Sequence, residues 1–538
     1  MDSAINRLFS TVEYLQDQLV HLSSRTDRYT LGLGVVSTIT LATLYRCVIY
    51  NLYLHPLNKI PGPSVNYLIP FSGNIVEIFK QESGVSHKKW AKKYGGILNY
   101  HGPWNRPRLL VTDVELLKQI LTTHAADFAK PPETVRFLTR FLGDGLLVAE
   151  GEVHRQQRKL LNPAFSVQAV RGMVPLMAIP GIQLRNKWIA STSTTPTEID
   201  VSYELSLATL DVIGMAGFGQ EFGSVHHAGS KLTEAYTTIF GGNRTTFELL
   251  SFFFPILRKF PTKRNRELWR QEKELDEGSR SVVEKGMARK EEATDLLALM
   301  IREVDEETKQ GLTVRELQNQ CLTFLAAGHE TTSVALTWCL WLLAKHPEIQ
   351  KELREEITPI FDKLDFSDPR LNHPFDNTRW LHNEANIPDY HTVNNLELLD
   401  DVCKEVLRLI PPVPTTNRIA IKDMMLGNHF VPKGSEIYIS TMVNHHSNEI
   451  WGDDAETFRP SRWKEQRASK AGPYHFMPFL AGIHQCIGYK FALMEMKLLL
   501  ALLIKDFEFN EKPGVEIRKR QSVTLRPADG MPLLVRQI

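Results

Sequence analysis

The sequence around Cys486 constrains this chain more than any other segment does. It reads PFLAGIHQCIGYKFALMEMKLLL, with Gly482 and Gly488 on either side of the cysteine and a long apolar helical pattern directly after it. Glycines let the backbone approach a flat ligand closely and leave amide groups free to bond a sulfur atom. The N-terminus of the following helix favours a thiolate over a thiol, and Phe479 supplies an apolar wall. An isolated cysteine is more often a small buried hydrophobe, but this setting indicates a ligand thiolate.

Charge and cysteine content exclude several other classes of protein. The formal net charge is +1, which gives no electrostatic reason to expect a nucleic-acid partner. The cysteines are few and widely spaced, so neither a disulfide framework nor a zinc finger is expected. The bulk of the chain therefore predicts a reduced, cytosol-facing enzyme. The five cysteines are Cys47, Cys321, Cys339, Cys403 and Cys486.

An apolar run near the N-terminus predicts a membrane anchor. Residues 31–50 read LGLGVVSTITLATLYRCVIY, about the length of a helix that spans a bilayer, and Arg46 near one end can reach the headgroups. A buried core helix is the alternative. Residues 1–30 would then form a lumenal segment. Residues 51–63, which end in Pro-Gly-Pro, would form a stiff hinge.

The remainder, residues 64–538, predicts a single large domain. It contains no linker of low complexity, no repeat and no block of like charge that would divide it. Long helical patterns cover residues 316–345, 396–410 and 487–504, and short strand patterns cover residues 97–100, 108–112 and 436–440. This mixture predicts a mainly α fold with small β-sheets, of the α+β class.

The cysteine loop as a whole resembles the haem-binding loop of the cytochrome P450 family, F-x-x-G-x-R-x-C-x-G. The matching residues are Phe479, Gly482, His484, Cys486 and Gly488. The chain departs from the pattern at His484, where the family usually has an arginine that contacts a haem propionate. The resemblance extends from about residue 61 to the C-terminus. It implies the fold of that family, haem b as cofactor and Cys486 as the axial ligand of the iron.

Glu405 and Arg408, in KEVLRLIPPVP, lie three residues apart on a predicted helix and so share one face. With Arg462 in FRPSRW, they resemble the Glu–Arg–Arg cluster of the family. The resemblance implies that the cluster is buried and fixes the core behind the haem. A solvated surface pair is the alternative for a Glu/Arg pair at this spacing.

The segment FLAAGHETTSVALTW lies inside the longest predicted helix. The hydroxyl of Thr331 can bond the carbonyl of Ala327 and distort the helix locally. Glu330 and Thr331 then resemble the acid–alcohol pair with which the family relays protons to oxygen on the iron. A threonine-rich kink without a catalytic role is the alternative.

His154 and Arg158, in GEVHRQQRKLL, lie four residues apart and share a helix face. They resemble the family's W-x-x-x-R motif, whose two residues contact a haem propionate, with His154 in place of the tryptophan. An imidazole N–H can also bond a carboxylate. Arg418, shortly after Pro411 and Pro412, resembles a third propionate partner, although a surface role is nearly as consistent with its sequence context.

Together these motifs imply a monooxygenase that inserts one atom of O2 into its substrate. The sequence contains no phosphate-binding loop, no dinucleotide fingerprint and no flavin domain. Electrons would therefore come from a separate partner. The resemblance and the anchor imply that this partner is a membrane NADPH reductase, with cytochrome b5 as an alternative donor. The anchor and the resemblance predict a single-pass protein of the endoplasmic reticulum with its catalytic domain in the cytosol.

The substrate is the least constrained part of this prediction. The resemblance implies that the pocket walls come from residues 128–145, residues 240–254 and the long helix. These segments are apolar, which favours a lipophilic substrate that enters from the bilayer. The N-terminal region resembles fungal members of the family, many of which act in terpenoid or polyketide metabolism. Fatty-acid or sterol hydroxylation is the alternative. A reductase-independent isomerase or peroxygenase, a haem sensor or carrier, and a cysteine hydrolase with His475 or His484 as its base are also compatible with parts of the sequence.

Overall fold

A computed structural model describes residues 28–65, 71–192, 195–226, 255–289, 293–304, 310–366, 371, 387–466 and 472–538. Helices make up most of this part of the chain. In chain order, the α-helices are α1 (Arg28–Leu44), α2 (Ile75–Lys80), α3 (Val85–Tyr94), α4 (Val114–Lys118), α5 (Pro132–Leu142), α6 (Gly151–Leu161), α7 (Val167–Ser191), α8 (Val201–Val212), α9 (Lys263–Met287), α10 (Leu296–Arg302), α11 (Val314–Lys345), α12 (Pro347–Phe361), α13 (Tyr390–Asn394), α14 (Glu397–Leu409), α15 (Thr441–His445), α16 (Asn448–Trp451), α17 (Arg462–Gln466) and α18 (Tyr489–Asp506).

The strands are short. They are β1 (Ile97–His101), β2 (Pro107–Val111), β3 (Phe128–Ala129), β4 (Thr197–Asp200), β5 (Thr415–Ala420), β6 (Met424–Leu426), β7 (His429–Val431), β8 (Glu436–Ser440), β9 (Phe507–Glu511), β10 (Lys519–Gln521), β11 (Leu525–Pro527) and β12 (Pro532–Gln537).

These strands form two small sheets and two hairpins. The larger sheet has the order β1-β2-β8-β5-β3. Its β2 and β8 are parallel, with Leu109 opposite Ile437, and its other pairs are antiparallel. The smaller sheet, β4-β12-β9, is antiparallel, and β6-β7 and β10-β11 are hairpins. The prediction of a mainly α fold with small sheets is confirmed.

Helix α11 lies at the centre of the domain. It begins at a capping box in which Thr313 and Glu316 bond each other's backbone amides, and it continues for 32 residues. It packs against α8, α9, α14 and α18. Leu336, Trp338 and Leu340 in its second half are fully buried. Because the helix is apolar on nearly every face in this region, it crosses the core and carries its polar residues into the interior.

The predicted long helices and the strands of the large sheet agree with the structure to within about two residues, the usual uncertainty of an element boundary. Residues 316–345, 396–410 and 487–504 correspond to α11, α14 and α18. Their apolar periodicity is strong and uninterrupted by proline, so local sequence is sufficient to place them.

The N-terminal apolar run is helical and stands out from the domain. Helix α1 continues as a π-helix over Tyr45–Leu54, followed by a 3₁₀ turn over Pro56–Lys59. The helix over Gly32–Lys59 is long and apolar enough to cross a membrane. Residues 32–46 are exposed to solvent along their whole length. Such exposure of leucine, isoleucine and valine is typical of a segment that lipid covers.

Candidate active site

The loop before α18 holds Cys486 in a fixed turn. The Cys486 amide donates to the carbonyl of Phe479 at 2.9 Å, and a 3₁₀ turn begins at Gly482. Gly482 has a φ of +74°, and a Cβ atom there would lie 1.8 Å from the carbonyl oxygen of Leu121. Only glycine satisfies both conditions. The glycine therefore lets the loop pass close to the neighbouring backbone and places the cysteine just before α18.

The Cys486 side chain differs from every other cysteine in the chain. It is exposed, whereas the other four free cysteines are buried. Protein nevertheless surrounds the loop, and burial raises the pKa of the Cys486 thiol. The backbone N–H of Gly488 and the charge of Arg158 act in the opposite direction. A cationic ligand on the sulfur would therefore complete the stabilisation of the thiolate.

Helix α6 lies directly against the cysteine loop. Arg158 donates through Nη1 to the carbonyl of Gln485 at 2.5 Å and through Nε to Oδ1 of Asn162 at 3.0 Å. One turn earlier, the ring of His154 lies 4.3 Å from the ring of His484, centroid to centroid. Burial and neighbouring cations lower the pKa of His154 to about 4 and that of His484 to about 2. The structure thus brings these three predicted propionate partners together, with both imidazoles neutral.

Two further charged residues, which stand in no sequence motif, join this group. Nζ of Lys130 lies 2.9 Å from Oε1 of Glu150, and Oε2 of Glu150 lies 3.7 Å from Nε2 of His484. Arg418 on β5 is almost completely buried and donates through Nη1 to Oγ1 of Thr416 at 3.1 Å. Burial lowers the pKa of both Lys130 and Arg418.

The charges of this group do not balance. Among the residues that the structure describes here, three cations, Lys130, Arg158 and Arg418, lie near one carboxylate, Glu150, so this described group carries an excess of two positive charges. Burial of a cation costs free energy unless an anion lies beside it. An anionic ligand with two carboxylates, seated beside Cys486, matches this excess, and the two propionates of haem fit that description. The residues present therefore fit a haem.

The predicted Glu–Arg–Arg cluster is buried. Glu405 and Arg408 have no exposed surface and Arg462 is 1% exposed. Arg408 reaches both oxygens of Glu405 at 2.8 and 2.9 Å, and Arg462 reaches Oε1 at 3.0 Å. The indole N–H of Trp463 also donates to Glu405, at 3.1 Å. The carbonyls of His445, Trp451, Asp454, Ala455 and Thr457 accept further guanidinium protons. Trp463 stands in the FRPSRW motif, but only the folded chain shows that it belongs to the cluster.

Thr331 and Glu330 on α11 face different partners. The Thr331 hydroxyl donates to the carbonyl of Ala327 at 2.7 Å, as predicted. The helix continues through this position without a break, so the expected distortion does not interrupt it. The Glu330 carboxylate forms an ion pair with Arg526 and accepts from the Thr524 hydroxyl at 2.5 Å. These two partners of Glu330 come from the β10-β11 hairpin near the end of the chain, called the C-terminal hairpin below. No motif in the sequence predicts them.

Helix α18 and α11 meet near these residues. Glu495 on α18 is 1% exposed and lies against the Thr332 hydroxyl, and burial holds the pKa of Glu495 well above its ordinary value. At the start of α18, a Cβ on Gly488 would lie 3.5 Å from Phe165, whose ring is 5.2 Å from that of Phe324 on α11. The helix that follows the cysteine is therefore packed onto the helix that carries Thr331.

Of the two chain segments predicted as pocket walls besides the long helix, the structure describes one and not the other. Residues 240–254 lie outside the described residues. The segment 128–145 contains β3 and α5, in which Phe141 and Leu142 are buried while Phe137 is half-buried against the core.

An accessible cysteine in a glycine-bounded loop, a neighbouring cationic group and a buried Glu–Arg–Arg cluster define a haem-thiolate protein. The chain belongs to the cytochrome P450 family, because the family model described as Cytochrome P450 matches residues 63–533. Membership implies haem and a redox partner and confirms the resemblance seen in the sequence. It also favours the haem-thiolate interpretation over a cysteine hydrolase.

Curated relatives cover nearly the whole chain. Cytochrome P450 monooxygenase sphH of Aspergillus fumigatus is 34% identical over 91% of this chain and 90% of its own length. Cytochrome P450 monooxygenase 205 of Postia placenta is 34% identical over 92% of this chain and 94% of its own length. Cytokinin hydroxylase of Arabidopsis thaliana is 30% identical over 94% of this chain and 98% of its own length. The chain is thus a P450 monooxygenase, an oxidoreductase.

Proposed function

We propose that this chain is a membrane-anchored monooxygenase that oxidises a lipophilic substrate with O2 and with electrons from NADPH, delivered by a separate membrane reductase. The observation that carries the proposal is the accessible Cys486 beside a group with two excess positive charges. A thiolate-ligated haem supplies activation of O2, because thiolate donation favours O–O cleavage.

Each residue around the cysteine has a proposed role toward this haem. Cys486 would ligate the iron, and Gly482 and Gly488 would let the loop approach the flat ring. Phe479 would form an apolar wall beside the thiolate. The propionates would be held by four side chains predicted from the sequence, with Lys130 supporting them through Glu150. These four are His154, Arg158, Arg418 and His484.

Proton delivery is proposed for Thr331 and Glu330. The Thr331 hydroxyl donates to the carbonyl of Ala327, so donation to another acceptor requires the hydroxyl to rotate about its Cβ–Oγ1 bond. Glu330 is held by Arg526 and Thr524, so its carboxylate would accept and pass on protons from one fixed position. The chain's own contribution is therefore to hold two proton-relaying groups, a hydroxyl and a carboxylate, in defined positions.

The substrate class is proposed from the similar proteins and from the apolar helix. Most of the similar curated monooxygenases are fungal, such as those of Aspergillus fumigatus and Postia placenta, which favours secondary metabolism of terpenoid or polyketide type. A relative named for cytokinin hydroxylation is only slightly less similar, so the relatives do not restrict the substrate to one class, and fatty-acid or sterol hydroxylation stays the alternative. The exposed apolar helix supports a single-pass protein with a cytosolic domain in the endoplasmic reticulum. Cytochrome b5 stays an alternative electron donor.

The test is reconstitution of the full chain with a microsomal NADPH reductase in lipid vesicles and with a panel of lipophilic candidates. A candidate that binds and shifts the haem absorption band should be hydroxylated only when NADPH and reductase are both present. Product formed without NADPH would favour the isomerase or peroxygenase. NADPH consumption that no candidate stimulates, in protein that still binds ligands, would favour a sensor or carrier.

A further inference from the structure

Strained backbone is concentrated where the N-terminal helix meets the catalytic domain. Among the described residues, four non-glycine residues have positive φ, and three of them lie at this place: Phe71 at +64°, Trp104 at +60° and Asn105 at +52°. The fourth, Leu480, belongs to the cysteine loop. Asparagine tolerates this conformation, but residues such as Phe71 and Trp104 adopt it only where the surrounding structure over-determines it. Something at this junction therefore holds the turn in place.

Two buried asparagines fix the turn to the N-terminal helix. Asn51, at the end of the N-terminal helix, donates to the carbonyl of Trp104 at 3.0 Å. Asn105 donates in return to the carbonyl of Cys47 at 3.1 Å and accepts from the amide of Gly73 at 3.1 Å. The two asparagines are 3% and 5% exposed. Buried amides bonded in both directions fix the relative position of the two segments.

Further hydrogen bonds connect this junction to the large sheet. Asn58, in the 3₁₀ turn after the helix, donates to the carbonyl of Asn51 at 2.9 Å, and Asn99 on β1 donates to Oδ1 of Asn58 at 3.0 Å. The helix itself is π-helical over Tyr45–Leu54, a rare form that often occurs at functional positions. Helix, turn and sheet are thus linked by consecutive hydrogen bonds and not by a flexible tether.

The outer surface of this junction suits a lipid–water interface. Trp104 is 39% exposed, and Ile49, Tyr53 and Leu54 on the adjoining helix are exposed as well. The guanidinium of Arg46 lies 4.2 Å from the ring centroid of Tyr50. Tryptophan and tyrosine concentrate at the headgroup level of bilayers, with arginine directed to the phosphates. This surface is continuous with the exposed apolar helix, so the same bilayer can cover both.

We propose that residues 45–59 and the turn around Trp104 form a rigid joint, locked by Asn51 and Asn105, that seats the catalytic domain on the bilayer with Trp104 in the headgroup region. The proposal rests on the membrane anchoring proposed above. It adds that the domain has one fixed height on the membrane.

The test measures the depth of Trp104 in the full-length haem-loaded protein. Vesicles are prepared with phosphatidylcholine brominated near the carbonyl end of its acyl chains, and emission is compared between wild type and Trp104→Phe. The difference between the two spectra reports Trp104. We expect brominated lipid to remove roughly half or more of that difference, because an indole at the headgroup level lies beside the bromines. Trp341→Phe, at a half-buried tryptophan on α11, is the control and should show no such loss.

The double variant Asn51→Ala/Asn105→Ala tests the lock. It should still sediment with vesicles, yet lose the quenching of Trp104, whereas the exposed-site variant Asn395→Ala should keep it. Unquenched Trp104 in wild type that binds vesicles would overturn the joint and leave the anchor and the oxygenase unaffected. Quenching that persists in the double variant would overturn the lock. Failure of wild type to bind vesicles would instead overturn the anchor on which the proposal rests.

Discussion

Glu330 in the middle of α11 is ion-paired with Arg526 on β11, 196 residues later in the chain. Both side chains are largely buried, at 14% and 16% exposed, and Thr524 adds a hydrogen bond to the same carboxylate oxygen. The C-terminal hairpin therefore holds the carboxylate that the sequence predicts as a proton donor. A buried carboxylate keeps its charge and its direction only while such partners are present.

Arg526→Gln should lower the yield of product per NADPH, because Glu330 would lose its counter-charge and its fixed orientation. We expect a decrease of about tenfold, less than the loss of a positioned acid would cause. Arg526→Lys keeps the charge and should retain more of the yield. The control is Arg518→Gln, which breaks an exposed pair with Asp529 in the same region. An unchanged yield in Arg526→Gln would show that the ion pair does not influence proton delivery.

Thr331→Ala should increase release of hydrogen peroxide relative to product, since the hydroxyl proposed above to relay a proton would be missing. Thr331→Ser keeps the hydroxyl and should restore coupling. Thr337→Ala is a matched control, because Thr337 lies on the same helix and makes an equivalent 2.7 Å bond to the Ser333 carbonyl. Peroxide and product are measured per NADPH consumed. Equal coupling in Thr331→Ala and Thr337→Ala would count against the relay.

Arg408→Ala should destabilise the domain by about 3–5 kcal/mol, because Glu405 would stay buried with one of its two arginines missing. Haem content should fall with it. Lys351→Ala, which breaks the exposed pair with Glu355, should change stability by about 0–1 kcal/mol. Thermal unfolding of the detergent-solubilised protein and its haem absorbance measure both effects. Normal haem content and stability in Arg408→Ala would refute the structural role of the cluster.

Stability should decrease as the pH falls below about 6.5, the ordinary pKa of histidine. His445 is fully buried, its Nε2 accepts from the Met477 amide at 3.0 Å, and burial lowers its pKa to about 3. Between these two pKa values His445 binds a proton in the unfolded chain but not in the native state. The free energy of unfolding therefore decreases as the pH falls. Urea titrations from pH 7 to pH 5 measure the slope.

The variant His445→Gln should flatten that slope, although it also lowers stability at every pH. The exposed-site variant His391→Gln should leave the slope as it is. A slope that is equal in wild type and His445→Gln would assign the acid sensitivity to other groups.

The sequence predicts this molecule well wherever the determining interactions are local or carried by a motif. The apolar periodicity of α11, α14 and α18 places them, and the glycines around Cys486 indicate a tight loop. The buried state of Glu405 follows from its motif, although spacing alone would equally allow a surface pair.

What the sequence does not reveal arises from segments that are far apart or chemically ordinary. Lys130 and Glu150 stand in no motif and meet His484 only in the folded chain. Arg526 gives no local sign that it pairs with Glu330. Trp104 and Phe71 adopt positive φ although neither residue type favours it, and only the surrounding hydrogen bonds account for their conformation.

The proposed oxygenase activity depends on ligation of haem iron by the Cys486 thiolate. The most direct measurement is the carbon monoxide difference spectrum of dithionite-reduced membranes that contain the full-length chain, compared with Cys486→His and with the buried-cysteine control Cys403→Ser. Wild type and Cys403→Ser should show the Soret band at the long wavelength of a thiolate–iron–carbonyl complex, and Cys486→His should lack it. A long-wavelength band that survives in Cys486→His, or wild-type protein that is well folded but shows no haem band, would rule out ligation of haem iron by Cys486.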